Sequence, residues 1–76
     1  MRLEVNTNGA WRIVLSGVGV IDDGAQLDRI KAAAAELTRA GAELMRRPPT
    51  WRLVSEADDR VVAYCGGEHG WEGVVR

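Results

Sequence analysis

The sequence predicts an α+β fold, ββαββ(β): an antiparallel sheet with one long helix packed on one face. Three observations carry that expectation. Two alternating runs, "RLEV" and "WRIVLS", flank Asn8-Gly9, the dipeptide that best tolerates the positive φ values of a tight hairpin turn. A single stretch with helical spacing, "DDGAQLDRIKAAAAELTRAGAELMRR", follows and ends on Pro48-Pro49. Beyond the prolines, "TWRLVSE" and "RVVAYC" form a second pair of strand-like runs around "ADD".

In chain order, the first strand is expected near residues 2–6 and the second near 10–16. Gly17 and Gly19 then mark a bend. Asp23 is the expected N-cap of the helix, with Gln26 its capping-box partner three residues on. Four consecutive alanines raise intrinsic helix propensity. Leu27, Ile30, Ala34, Leu37, Gly41 and Leu44 recur at steps of three and four and form one narrow apolar stripe. The prolines stop the helix because neither donates a backbone hydrogen bond and the first disfavours helical geometry at Arg47. Strands near 50–56 and 60–65 follow, and "WEGVVR" offers a short fifth strand that Gly73 weakens. Trp opens each of "WRIV", "WRLV" and "WEGVV", a faint echo that composition explains as well as duplication does.

Composition bounds the function. Seventy-six residues make one small domain with a thin core. One cysteine rules out an internal disulfide, and no apolar run reaches the roughly 18 residues of a membrane span. The opening "MRLEVNTNG" lacks the apolar region of a signal peptide, so a cytoplasmic protein is expected. Ten basic residues balance eleven acidic ones, which argues against steering of the whole molecule toward nucleic acid or anionic lipid. Nine of the ten basic residues are Arg, with Lys31 the exception, a bias that fits a GC-rich source.

Alternation divides the strands into two faces. Leu3, Val5, Trp11, Ile13, Leu15, Trp51, Leu53, Val61, Ala63 and Cys65 are expected to form the core. The opposite face would gather Arg2, Glu4, Arg12, Val14, Arg52, Val54, Arg60, Val62 and Tyr64. Of these, Arg12, Val14, Arg52, Val54, Arg60, Val62 and Tyr64 are the candidate partner-binding surface, because Tyr and Arg around an apolar centre match the make-up of interfaces.

The helix adds a second candidate. About 24 residues span roughly 36 Å, whereas strands of five or six residues span only about 17–20 Å. Either the helix breaks at Gly41, or its far end, with Leu44, Met45, Arg46 and Arg47, overhangs the sheet and packs on a second copy or another protein. The second alternative is the expectation, with a two-fold homodimer as its default form.

The chemistry-bearing residues read as structural. Cys65 and His69 resemble a thiol and base pair with Glu68 or Glu72 to orient the histidine, but alternation puts Cys65 in the core, where a thiol is inert. Two such ligands per chain fall short of the four of a structural zinc site. "GGEHG" lies between strand-like runs instead of before a helix, so it reads as a turn and not as a phosphate loop. Asp22, Asp23 and Asp28 lack the spacing of a calcium loop and suit a helix N-terminus.

No catalytic residue, metal or cofactor is expected. The reading is a small non-enzymatic protein-interaction domain, a homodimer. It would suit a phage or mobile-element accessory protein that binds and modulates or inhibits a host protein. The alternative is a nucleic-acid-binding regulator using the Arg and Tyr face. A small-molecule binder with Trp11, Trp51 or Trp71 lining a pocket is the third class.

Overall fold

The computed structural model describes residues 1–7, 9–18, 23–44, 48–66 and 70–73, with only the backbone of Asp23. The chain forms a five-stranded antiparallel sheet and one helix. The elements run β1 (Arg2–Asn6), β2 (Trp11–Leu15), α1 (Asp23–Gly41), β3 (Thr50–Ser55), β4 (Arg60–Cys65) and β5 (Trp71–Gly73). The sheet order is β2-β1-β3-β4-β5, so the two hairpins and the added β5 join through the β1–β3 pair.

Each turn has a local cause. Gly9 has a φ of +83° and its N–H donates to Asn6 Oδ1 at 2.8 Å, closing the first hairpin. The turn type expected from Asn8 lies outside the described residues. Between β3 and β4, Asp59 takes a φ of 55°, a left-handed conformation that Asp tolerates better than most residues. After β2 the chain folds back on itself. Met1 N donates to the Val18 carbonyl at 2.8 Å and Val18 N–H to the Met1 carbonyl at 2.7 Å. Gly17, at a φ of +72°, makes that reversal and gives its N–H to Glu56 Oε1 at 2.8 Å. That bond, foremost, holds the Glu56 carboxyl below its ordinary pKa.

The core sits between α1 and one face of the sheet. Leu3, Trp51, Leu53, Ala63 and Cys65 from the strands meet Ala34 from the helix, and Met1, Val5, Leu27, Ile30, Ala35 and Trp71 pack around them. Two tryptophans are fixed by donors that burial obliges them to satisfy. The Trp51 indole N–H donates to Thr38 Oγ1 at 2.8 Å, while the Thr38 hydroxyl donates to the Ala34 carbonyl at 2.9 Å. The Trp71 indole N–H donates to the Lys31 carbonyl at 2.7 Å, with Lys31 Nζ 5.7 Å from its ring. The possible fifth strand therefore forms, and its tryptophan is spent on the helix.

The helix departs from expectation at its far end. It closes at Gly41, with turns at residues 42–44, instead of running to Arg47. At 19 residues it is about 28 Å long. Gly41 is the weakest helix former in that stretch, and the helix stops there. The buried stripe also turns away from Leu37, which is exposed, to Thr38, because Trp51 needs an acceptor there. Cap contacts of the Asp22 and Asp23 side chains lie outside the described residues.

Candidate functional site

The two β-bulges decide which side chains reach the surface. Leu3 pairs with Leu15, whereas Glu4 pairs with Ile13, so Val14 has no partner of its own on β1. Likewise Leu53 pairs with Ala63 and Val54 with Val61, leaving Val62 extra on β4. A bulge inserts one residue and reverses the face assignment of everything on its far side. Trp11 and Ile13 consequently lie on the face away from the helix, beside Asn6 and Glu4, and Arg12 lies on the helix side opposite Val5. Val61 joins Val54 and Arg2 on the open face, and Arg60 opposes Ser55.

This corrects the expected partner-binding surface. Arg12, Arg52, Arg60 and Tyr64 do not share a face. Val54 is only 1% exposed, so it is no contact residue. Val14 and Val62 are exposed because they are the bulged residues. Trp11, Ile13 and Leu15, assigned to the core by alternation, are not part of the buried cluster. At the helix end, Leu44 is 88% exposed and lies beyond α1, so no overhanging helix presents it; Met45, Arg46 and Arg47 lie outside the described residues.

The open face is occupied by its own ion network. Glu4 is buried, accepting from Arg2 Nε at 2.5 Å through Oε2 and from Arg52 Nε and Nη2 at 2.6 Å through Oε1. Burial alone would raise the Glu4 pKa, but the hydrogen bonds and charges of Arg2 and Arg52 outweigh it and hold the carboxyl below its ordinary value. Arg2 also reaches Asp59 Oδ1 at 2.8 Å. The Arg52 guanidinium lies 4.1 Å from the Trp11 ring centroid, and the Trp11 and Tyr64 rings are 6.3 Å apart and tilted by 53°. Arg52, which sequence alternation offered to a partner, thus already holds Glu4 together with Arg2. A depression of about 240 Å³ next to Tyr64, lined also by Thr50, Gly66, Gly70 and Glu72, holds one carboxylate and no base within its lining.

Cys65 is buried, and burial pushes its thiol pKa up, which keeps it protonated and inert. His69 lies outside the described residues. Among the described residues no group of three or more His, Cys, Asp or Glu side chains is placed to hold a metal ion. No helix among them is long and apolar enough to cross a membrane.

Among the described residues, β2 carries the longest run of exposed apolar side chains. Ile13 is 62% exposed, Val14 46% and Leu15 44%, three neighbours in sequence on a strand at the edge of the sheet. The cause is geometric. Five strands at about 4.8 Å spacing make a sheet about 19 Å across, whereas a helix with its side chains is about 10–12 Å wide. Held over β3, β4 and β5 by Trp51 and Trp71, α1 leaves Leu15 bare on its own side of the sheet, whereas Ile13 is bare because the register puts it on the face away from the helix. The single helix was legible in the sequence, with a fifth strand only a possibility, and it signalled that part of one sheet face stays uncovered. The opposite edge is β5, Trp71–Gly73 among the described residues.

Fold and site together define an α+β sheet-and-helix domain with an open apolar edge. Compared with protein-family models, curated proteins and solved structures, the chain matches none.

Proposed function

We propose that this protein is a non-enzymatic interaction domain that binds its protein partner by strand addition along β2. The observation that supports it is the run Ile13, Val14 and Leu15, exposed on an unpaired sheet edge. In strand addition the outer N–H and C=O groups of the edge supply affinity, and the side chains on either side of it supply selectivity. A surface of this kind is costly to leave bare, since exposed edge strands template aggregation. Its cover is therefore part of what the domain does. The nucleic-acid alternative is less favoured because Arg52 is held by Glu4 while Arg12 and Arg60 lie on the other side of the sheet from Arg52 and Tyr64.

The test compares wild type and Ile13→Lys as baits in an extract of the native host, with nucleic-acid binding measured in parallel at low salt. Ile13 is exposed, so the variant should melt with wild type. Loss of a captured protein by the variant is the expected result. Equal capture by both, or tight salt-sensitive binding of nucleic acid unaffected by Ile13→Lys, would overturn the proposal.

A further inference from the structure

We infer that the depression beside Tyr64 is a binding site for a guanidinium group on a short alkyl stem, the chemistry of an arginine side chain. It lies toward β5, away from the β2 edge, and does not depend on strand addition there.

One cross-strand row of the open face supports this. Register sets Glu4 opposite Arg52, Arg52 opposite Tyr64 and Tyr64 opposite Glu72, and opposed residues share a face. From β1 to β5 the row therefore reads carboxylate, guanidinium, aromatic ring, carboxylate. Its first half shows how this surface holds a guanidinium. The Arg52 group lies 4.1 Å from the Trp11 ring centroid while its Nε and Nη2 donate to Glu4 Oε1 at 2.6 Å. Ring and carboxylate act together, because a flat cation stacks through its face and donates through its edge.

The second half of the row repeats the ring and the carboxylate. Tyr64 is 41% exposed, and Glu72 opposite it is exposed and, among the described residues, has no hydrogen bond or ion pair. Opposed side chains stand about 4.5–5.5 Å apart at Cβ, close enough for one cation to reach both. Size narrows the ligand. Gly66 and Gly70 line the depression with backbone alone, and a Cβ on Gly66 would press on Thr50 Cγ2 at 3.3 Å. The volume of about 240 Å³ falls below the roughly 300–1,000 Å³ of clefts that take drug-sized molecules. It suits one side chain or a small guanidine. Charge sets the sign: Glu72 is the charged residue of the described lining, and Arg52, the cation of the row, is already matched by Glu4.

The probe is Nα-acetylarginine N-methylamide, followed through the amide chemical shifts of isotopically labelled protein at constant ionic strength. Exposed ion pairs and cation–π contacts are each weak, so the dissociation constant should be on the order of 10 mM. Saturable shifts should centre on Tyr64, Gly66, Gly70 and Glu72. The citrulline analogue, which has the same shape without the charge, should give none. Glu72→Gln, at an exposed position, should keep the fold and raise the dissociation constant at least about threefold. Tyr64→Leu removes the ring and should weaken binding by about the same factor.

Free arginine separates the two sources of this chemistry. Binding of the blocked probe at least as tight as that of free arginine assigns the site to an arginine within a protein chain; tighter binding of free arginine assigns it to a small molecule. No saturable shift up to about 100 mM, an equal response to the citrulline analogue, or indifference to Glu72→Gln would overturn the inference.

Discussion

Replacing Glu4 by Gln removes the charge at the centre of the open-face network while keeping its shape. In the native fold that carboxylate accepts from Arg2 at 2.5 Å and from Arg52 at 2.6 Å. Breaking a fully buried ion pair costs about 3–5 kcal/mol, whereas exposed pairs contribute about 0–1 kcal/mol. The Glu4 side chain is 6% exposed, but its cover is thin, made of the two arginine side chains, which are themselves 20% and 23% exposed. Water is close enough to rehydrate the freed guanidinium groups, so an intermediate loss of about 2 kcal/mol is expected at pH 7. For a domain whose total stability is roughly 4–11 kcal/mol, that is a large share.

With a urea dependence near 1 kcal/mol per molar for a protein this small, the unfolding midpoint should fall by about 2 M. The acid limb gives a second readout. The folded-state pKa of Glu4 lies below its ordinary value of 4.5. Its stabilisation is therefore complete above that value and is lost as pH falls through the lower folded-state value. Glu56 and Asp58 are also depressed, so Glu4→Gln should make the acid limb shallower without abolishing it. A midpoint shift under about 0.5 M at pH 7, or an acid limb as steep as that of wild type, would refute the reasoning.

Other substitutions probe other parts of the fold. Thr38→Val strands the Trp51 indole N–H inside the core and should cost about 1–3 kcal/mol by urea denaturation; in a cycle with Trp51→Phe, the double variant should lose less than the sum of the two. Cys65 should resist a thiol reagent in the folded protein and react in proportion to the unfolded fraction as urea is added, since burial keeps it out of reach. Gly17→Ala meets no atom within 4 Å but is strained by its φ of +72°, and should lower stability by about 1 kcal/mol in thermal melts. Leu44→Glu, at an 88% exposed position outside α1, should leave stability unchanged within about 0.5 kcal/mol by urea denaturation.

The strand positions and the start of the helix were legible because they depend on local pattern: alternation around Asn8-Gly9, the alanine run after Asp23, and the prolines at 48 and 49. The faces were not. Alternation is a correct rule that holds only between bulges, and neither Val14 nor Val62 differs in kind from the valines around it. No Gly or Pro flags either site, since both bulges are set by pairing with β1 and β3. The helix end was misread for a related reason. Pro48 and Pro49 are strong stops, whereas Gly41 is a weaker one that a helical pattern can run through. The use of Thr38 in place of Leu37 on the buried side follows from Trp51, thirteen residues away, and is invisible to helical periodicity alone. The candidate site inherits these errors. Arg52 was correctly placed on the open face, but its occupation by Glu4 depends on the β1–β3 register.

The position of β1 between β2 and β3 sets an order on how the molecule assembles. The pairs β1–β2, β3–β4 and β4–β5 close over short loops, and they can zip up early and independently. The β1–β3 pair joins Leu3 to Leu53 and Val5 to Trp51, closing a loop that contains the whole helix. Because that contact is worth nothing until its entropy has been met, it belongs to the slow step, and the Leu3, Leu53 and Trp51 cluster forms with it. Before that step, the chain is two separate sheets with four raw edges between them. Completing it seals the inner pair and leaves β2 and the short β5 outward.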